Sequence, residues 1–341
     1  MRFLEFNQDC EAQAKLFAQH RSKAEQIPEL VRRTAGSRDV VLTGIATSLS
    51  AWKSVHCLLG TQMPAPPVLL NTSDLLDYSF PAAEDERPLF VLSRSGNSAE
   101  IARLMKEISA SRKVIAMTEG CDSVLAKRAT ELLDFSADER AFPNTSSFTL
   151  SQLYALCAAI GLGYQPSRTL TELLDVLSAE SETFCAADMP HLPGSLLADA
   201  QAVLVEGQGY LTGVAEQYAL DFHETRTPGI AVVGGIMRHG VVELTERSGV
   251  VTVMLIPDDR AAGRKLKLAR ELDDAGKPVI VVTDTDAAAF GRGFLRVPNV
   301  PVELKSIFFT LGMQKLYGSY IESGRISSIA PALVGKVTRM E

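Results

Sequence analysis

The sequence predicts an α/β chain made of two tandem, doubly wound halves, each a parallel sheet between two layers of helices. Short apolar runs alternate along the chain with amphipathic helical patterns, which is typical of β-α-β units. The same order then recurs: Val40 corresponds to Val203 after 163 residues, and Leu89 corresponds to Val251 after 162 residues. An offset this constant indicates an internal duplication.

Length and composition restrict the class of protein. The 341 residues, 46% hydrophobic and 22% charged, suffice for about two ordinary domains. A net charge of −7 offers no broad basic surface, so we expect no nucleic-acid partner. The first ten residues lack the apolar run of a secretory signal, and the longest apolar stretch is too short to cross a bilayer. We therefore expect a cytoplasmic protein without a membrane segment.

The elements follow from this periodicity in chain order. Residues 1–37 are helix-periodic and predict an N-terminal helical arm that ends at Gly36-Ser37. The first half is expected over 38–190 and the second over 191–341, joined in the stretch 186–194 that is punctuated by proline and glycine. The predicted strands are Asp39–Leu42, Leu89–Leu92, Lys113–Met117, Ala202–Val205, Val251–Leu255 and Pro278–Val282.

The loop Ser93-Arg94-Ser95-Gly96-Asn97-Ser98 directly follows one of these strands and precedes an amphipathic helix. Unpaired N–H groups and the positive end of the helix dipole point at such a loop, and three hydroxyls and a guanidinium add further donors. The loop therefore predicts a phosphate site. The alternative is an ordinary N-cap turn, in which Ser98 caps the helix and Ser95 has no role. The sequence has no G-x-x-x-x-G-K-[ST], so a nucleoside triphosphate does not fit.

Three other loops bear on this site. Thr43-Gly44-Ile45-Ala46-Thr47-Ser48 lies at the carboxyl end of the first strand, where open parallel sheets bind ligands, although ordinary turn chemistry also explains it. Residues 144–149 (NTSSFT) precede an apolar helix expected from near Leu150, and they either cap it or contact substrate. In the second half, residues 256–260 (IPDDR) place two carboxylates where an anion would be repelled.

The segments GIATS, SRSGNSAE and NTSSFT resemble the sugar isomerase (SIS) domain family. The closest likeness is to its phosphosugar branch, with the isomerase half of glucosamine-6-phosphate synthase, the AgaS-type deaminase/isomerases and the fructosamine-6-phosphate deglycases. The resemblance implies a sugar phosphate held by Thr47, Ser48, Ser93, Ser95 and Ser98. Arg94 stands where many members have glutamine, and an arginine there is compatible with a phosphate or with an acidic group of the substrate.

The second half supplies the catalytic candidates. Glu224 lies 17 positions after Gly207, as the family's base glutamate does after a similar G-x-G, and its place in the last turn of a helix should raise its pKa. His239, in the run Arg-His-Gly, resembles the Lys-His-Gly histidine that opens the sugar ring, often from the neighbouring subunit, although Val241 replaces the usual proline. Lys336 stands five residues before the terminal glutamate, like the lysine that attacks or polarises the open-chain carbonyl.

Each candidate has an ordinary structural alternative. Glu224 fits a solvated helix end, His239 a structural histidine and Lys336 a frayed surface lysine. Asn144 is a further candidate substrate contact. No His, Cys, Asp or Glu cluster has metal-ligand spacing, and the five cysteines lie far apart, so we expect neither a metal nor another cofactor.

The resemblance implies a phosphosugar isomerase that moves a proton between C1 and C2 of an amino- or keto-hexose phosphate, with ammonia release if it is a deaminase/isomerase. A deglycase and a non-catalytic sugar-phosphate sensor remain alternatives. A dinucleotide oxidoreductase does not fit, because a G-x-G-x-x-G motif that begins at Gly207 needs its third glycine at position 212, and the sequence has it at Gly213. Amidotransfer is not expected, because residue 2 is arginine instead of a nucleophilic cysteine and no glutaminase domain precedes the first half. Shared active sites in the family imply a homodimer.

Overall fold

The computed structural model describes residues 3–79, 81–189, 192–285 and 293–323. These residues form two five-stranded parallel sheets flanked by helices, so the predicted three-layer α/β class is confirmed. They fold into two compact units. The first-sheet unit comprises Leu16–Glu139 and Ser146–Leu174, and the second-sheet unit comprises 3–15, Arg140–Thr145 and 175–323. Both units are discontinuous in sequence, and the expected boundaries at 37/38 and 190/191 stay predictions.

The strands are short and all pair in parallel. In the first sheet they are β1 (Val41–Gly44), β2 (Val68–Asn71), β3 (Leu89–Leu92), β4 (Val114–Thr118) and β5 (Glu131–Asp134). In the second sheet they are β6 (Ala202–Gly207), β7 (Gly229–Val233), β8 (Val250–Ile256), β9 (Val279–Thr283) and β10 (Phe294–Arg296). The six predicted strands are confirmed to within two residues at each end.

The α-helices alternate with these strands. They are α1 (Phe3–Glu11), α2 (Gln13–Ala35), α3 (Thr47–Gln62), α4 (Thr72–Asp77), α5 (Ala99–Glu107), α6 (Val124–Arg128), α7 (Ser146–Gly161), α8 (Leu170–Ala186), α9 (Gly194–Ala198), α10 (Thr212–Glu224), α11 (Ala262–Asp274) and α12 (Val302–Glu322). Helix α2 ends one residue before the predicted Gly36-Ser37 break. No helix of the described residues has both the length and the hydropathy needed to span a bilayer.

Both sheets have the same strand order. In the first sheet it is β2-β1-β3-β4-β5, and in the second it is β7-β6-β8-β9-β10. After β1 the chain adds β2 on one side of β1 and then crosses back to add β3 on the other side. The position between β1 and β3 is therefore a topological switch point, where open α/β sheets bind ligands. Because Val41 pairs with Leu89 and Thr43 pairs with Val91, the loops after β1 and β3 leave the same edge side by side.

Each unit contains one helix that is apolar and buried on nearly all sides, as expected for a helix in the middle of a fold. In the first-sheet unit it is α7, which packs against α3, and in the second-sheet unit it is α12, which packs against α1, α9 and α10. The expected start of the first of these helices, near Leu150, is wrong: α7 begins at Ser146, and residues 146–149 form its first turn.

His20 on α2 is buried in the first-sheet unit. Its Nε2 lies 3.1 Å from the carbonyl oxygen of Ser136, and its Nδ1 lies 2.8 Å from the hydroxyl of Tyr154 on α7. Burial lowers the pKa of His20 below its ordinary value of 6.5, and the nearby charge of Lys23 acts in the same direction. The folded state therefore favours the neutral imidazole.

We expect the free energy of unfolding to fall as the pH decreases below about 6.5, because the unfolded chain then binds a proton at His20 before the folded chain does. The contribution is complete above the unfolded pKa and is lost between that value and the lower folded pKa. Urea unfolding of wild type and His20→Asn tests this, since the stability difference between them should shrink from about pH 8 to about pH 5. A difference that stays constant over this range would contradict the assignment.

Candidate functional site

The loop 93–98, called here the anchor loop, connects β3 to α5 in the first-sheet unit. The Ser93 hydroxyl oxygen accepts a hydrogen bond from the Gly96 N–H at 3.2 Å, and the Ser95 hydroxyl oxygen accepts one from the Asn97 N–H at 3.2 Å. A hydroxyl that accepts a bond in this way still has its own proton to donate. Both serines are therefore fixed in place with their O–H groups available to an acceptor.

Ser98 occupies the N-cap position of α5 with an extended backbone, but its side chain makes no capping hydrogen bond. Ser95, in contrast, does bond within the loop. Ser98 therefore does not cap α5 through its side chain, and Ser95 is bonded, contrary to the details of the alternative, while phosphate binding by the loop stays a prediction. The anchor loop thus places three serines directly before a nine-residue helix, whose first N–H groups have no partner within the helix.

Gly96 is required by packing within the anchor loop. Its φ is +59°, and a Cβ added to it would meet the Ser123 side chain and lie 2.8 Å from the Thr118 hydroxyl. Asn97 adds a second connection, because its side-chain oxygen accepts a hydrogen bond from the Val124 N–H at 2.9 Å. The loop is thus held against the end of β4 and the start of α6, so its shape is set before any ligand binds.

Arg94 points to carboxylates of its own unit. Its Nε lies 3.1 Å from Glu119, and its Nη1 lies 2.6 Å from Glu139, whose side chain is completely buried. The Arg94 guanidinium is therefore already paired with two carboxylates of the chain. Contact of Arg94 with substrate stays a prediction, and in the structure its ion pairs connect the anchor loop to Glu119 and Glu139.

Glu139 connects that ion pair to the start of α7. Its carboxylate accepts hydrogen bonds from the Ser147 N–H at 3.1 Å and from the Ser147 hydroxyl at 3.0 Å. A carboxylate at this end of a helix also interacts favourably with the helix dipole. Asn144 lies just before α7 in the segment Arg140–Thr145 of the second-sheet unit, and its contact with substrate stays a prediction.

The loop after β1 presents the other predicted phosphate contacts. Thr47 and Ser48 are the first residues of α3, and Ser48 is buried with its N–H bonded to the Ile45 carbonyl at 3.0 Å. Ala46 has φ +49° and ψ −121°, a conformation that costs a residue with a side chain on the order of 1–3 kcal/mol. Strain of this kind concentrates at functional loops, and this loop lies beside the anchor loop at the β1/β3 switch point.

In the second-sheet unit, Glu224 is the last residue of α10, as the sequence predicts. The chain leaves the helix through Arg226, which adopts a left-handed conformation with φ +66°. Its N–H bonds to the His223 carbonyl at 2.8 Å, and the Thr227 N–H bonds to the Phe222 carbonyl at 2.9 Å. This is the double hydrogen bond of a Schellman end, and it fixes the turn that carries Glu224.

Two tyrosines of α12 hold the same helix end. The Tyr317 hydroxyl donates to the main-chain carbonyl of Asp221 at 2.7 Å, and the Tyr320 hydroxyl lies 2.7 Å from the Thr227 hydroxyl. The rings of Tyr317 and Tyr320 pack together with centroids 5.5 Å apart. Glu224 therefore projects from a helix terminus that is fixed by an aromatic cluster.

His239 lies on an exposed loop of the second-sheet unit, directly after the short turn Ile236–Arg238. The preceding Arg238 forms an ion pair with Glu271 of α11. Gly240 follows with φ +104°, which favours glycine. Lys336 lies outside the described residues. The catalytic roles of Glu224, His239 and Lys336 stay predictions.

The loop after β8 has its own internal anion. The Asp258 N–H donates to the buried Asp284 carboxylate at 2.5 Å, and Lys305 lies 2.7 Å from the same carboxylate. Lys305 also donates to the Asp258 carbonyl at 2.9 Å. A carboxylate of the chain thus occupies the N–H donor of this loop, which supports the prediction that the phosphate site belongs to the loops of the first sheet.

Sequence reasoning missed Glu139 and Asp221, both buried carboxylates close to predicted site residues. Asp221 has a usable signal, since it precedes Glu224 by three residues on one helix and so shares its face. Glu139 has none, because it pairs with a residue 45 positions earlier.

Comparison with known proteins agrees with the resemblance. No family model matches the chain. The chain is 22% identical over 267 residues to the glutamine–fructose-6-phosphate aminotransferase (isomerizing) of Gluconobacter oxydans. The aligned region covers 73% of this chain and 43% of that protein. Its fold is similar to glucosamine-6-phosphate deaminase of Thermotoga maritima, with TM-score 0.73, 20% identity and 100% of both chains covered. It is also similar to tagatose-6-phosphate ketose/aldose isomerase of Escherichia coli, with TM-score 0.73, 19% identity, 97% of this chain and 96% of that chain.

The chain spans less than half the length of the curated relatives it matches, between 41% and 43%. Its fold is the one shared by these sugar-phosphate isomerases and deaminases. The resemblance to the sugar isomerase domain family is thereby confirmed.

Proposed function

We propose that the protein is a phosphosugar isomerase that moves a proton between C1 and C2 of an amino- or keto-hexose phosphate. One observation carries the proposal. Ser93 and Ser95 accept hydrogen bonds from main-chain N–H groups, and Ser98 makes no capping bond, so each hydroxyl keeps a proton that it can donate to an anion at the start of α5. A phosphate monoester suits this arrangement, because it is a dianion with three oxygens that accept hydrogen bonds.

In this proposal the phosphate accepts bonds from Ser93, Ser95 and Ser98, and from Thr47 and Ser48 of the adjacent loop. Hydrogen bonds to a charged group each contribute about 1.5–3 kcal/mol. Gly96 and Arg94 act indirectly, because they hold the anchor loop in shape. Phosphate binding at a fixed distance from the reacting carbons then supplies the positioning that proton transfer needs.

For the chemistry, we assign His239 to ring opening and Glu224 to proton transfer, with Lys336 polarising the open-chain carbonyl. Glu224 removes the C2 proton of an open-chain aldose while the carbonyl oxygen on C1 gains a proton, which leaves an enediol. Return of the proton to C1 and loss of the proton on the C2 oxygen give the ketose. Glu224 thus acts first as a base and then as an acid.

A nitrogen substituent changes the product. If C2 of an aldose carries an amine, the enolamine becomes a C2 imine, and water replaces the nitrogen with release of ammonia. If C1 of a ketose carries an amino acid, the proton moves in the opposite direction, from C1 to C2, and hydrolysis of the resulting C1 imine releases that amino acid, which is deglycase chemistry. A sensor would bind the sugar phosphate and convert none of it.

A panel of hexose 6-phosphates and their C1- and C2-amino derivatives tests the proposal, with ammonia, amino acid, sugar isomer and binding measured for each. Ammonia release identifies a deaminase, amino acid release a deglycase, and isomer alone a simple isomerase. Binding of a sugar phosphate without formation of any product would indicate a sensor and contradict the proposed enzyme activity. No binding of any phosphorylated sugar would contradict the proposal. The expected homodimer is checked separately by light scattering.

A further inference from the structure

Asp221 is a buried carboxylate that the proposed reaction does not use. It lies on α10 three residues before Glu224, and side chains at this spacing share one face of a helix. Only 1% of Asp221 is exposed. One carboxylate oxygen accepts a hydrogen bond from the Gln217 side-chain amide at 2.8 Å. Gln217, Asp221 and Glu224 therefore form one polar row on α10 that ends at the proposed base.

The surroundings of this row are apolar and aromatic. Phe222 and Tyr317 pack with ring centroids 5.4 Å apart, and Tyr218 is fully buried. Burial, together with the charges of Asp221 and Glu224, raises the pKa of Tyr317 well above its usual value. Charges in this buried region are poorly screened.

Other titratable groups lie near the row. His223 adjoins Glu224 on α10, and Tyr210 lies on the short turn Gly209–Leu211, which packs against α10. Tyr317 and Tyr320 face it from α12, and Cys10 of α1 lies near Tyr218. Strand β7, which packs against α10, carries no titratable side chain, and Glu206 of β6 is paired with the buried Lys265. The Tyr317 hydroxyl donates to the main chain of Asp221.

Gln217 can accommodate two protonation states of its neighbour. Its side-chain oxygen is buried and has no hydrogen-bond partner among the described residues, while its amide nitrogen donates to Asp221. An amide donates N–H to a carboxylate and, after rotation about its last bond, presents its oxygen to a protonated carboxylic acid. After such a rotation, the Gln217 oxygen can accept a hydrogen bond from a protonated Asp221.

We propose that Asp221 and Glu224 titrate as a coupled pair, and that Asp221 is a positioning residue that raises the proton affinity of Glu224. Two carboxylates on one poorly solvated face do not both ionise easily, so the pair holds a proton to higher pH than either residue alone. The negative end of the helix dipole acts in the same direction. This inference rests on the proposed function, and it explains how Glu224 can both accept and return a proton near neutral pH.

Asp221→Asn tests the inference, because asparagine keeps the shape and the bond from Gln217 but removes the charge. The acidic limb of the pH profile of kcat/KM should move to lower pH by about one unit, with KM unchanged on the plateau. Asp221→Glu, which keeps the charge, should return the limb towards its wild-type position. A structural role alone would lower kcat and leave the limb in place.

Infrared titration of the carboxyl groups supplies a readout without turnover. Wild type should contain a protonated carboxyl above the ordinary range of a carboxylic acid, and this signal should disappear in both Glu224→Gln and Asp221→Asn. If Asp221→Asn does not fold, Asp221→Ser removes the same charge with a smaller side chain, and the infrared signal should disappear in that variant as well. Absence of turnover on every sugar phosphate would refute the proposed function. Turnover that depends on Glu224, with an unmoved limb and unchanged infrared titration, would overturn the coupling.

Discussion

Glu224→Gln is expected to lower the turnover of the sugar phosphate by about 10³-fold while its binding affinity stays within about twofold of wild type. The amide has nearly the shape of the carboxylate but cannot accept the C2 proton. The fixed end of α10 does not depend on the Glu224 charge, since it is held by main-chain bonds at Arg226 and Thr227 and by Tyr317. Steady-state rates and calorimetric affinities of the same preparation measure both effects.

Glu216→Gln is the matched control, because it makes the same change two turns earlier on α10. We expect this control to keep a rate close to wild type. Equal losses in the two variants would point to a general disturbance of the helix. A Glu224→Gln variant with the full wild-type rate would remove Glu224 from the mechanism.

Arg94→Met is expected to lower the free energy of unfolding by about 3 kcal/mol, because it leaves a buried carboxylate without its cation. Glu139 is fully buried and 2.6 Å from the Arg94 guanidinium, whereas Arg94 itself and Glu119 are each 24% exposed in their side chains. The loss therefore comes mainly from Glu139. Urea unfolding of the two proteins measures it.

A double-mutant cycle assigns that loss to the pair. Glu139→Gln removes the buried charge but can still accept the Ser147 N–H, so the double variant Arg94→Met/Glu139→Gln should recover part of the stability. Arg103→Met is the matched surface control, since Arg103 also contacts two carboxylates, Asp77 and Glu107, but in solvent. It should destabilise the protein far less. Equal losses at Arg94 and Arg103 would contradict a special role of the buried pair.

The strands that sequence reasoning found and missed differ in their position in the sheet. The predicted strands at β1, β3, β4, β8 and β9 are buried at every residue, so their sequences read as continuous apolar runs. The four missed strands, β2, β5, β7 and β10, are all edge strands and only partly buried. An edge strand needs less apolar sequence and is often short, which removes the signal.

A similar distinction applies to the site. The strand, the turn at Gly96 and the helix around the anchor loop were predictable because they lie within a few residues of one another, and phosphate binding there stays a prediction. The ion pairs of Arg94 could not be predicted, because its carboxylate partners lie 25 and 45 residues later in the sequence. The sequence offered Arg94 as a phosphate contact, and only the fold reveals that Glu139 and Glu119 already neutralise it.

Calorimetric titration of a hexose 6-phosphate into wild type and Ser93→Ala/Ser95→Ala tests the central claim most directly. The loss of two hydrogen bonds to a charged phosphate should weaken the affinity by about 100-fold or more. Ser109→Ala/Ser111→Ala removes two exposed serine hydroxyls elsewhere in the first-sheet unit and should leave the affinity unchanged. An anchor-loop variant that folds normally and binds the sugar phosphate as tightly as wild type would contradict the account.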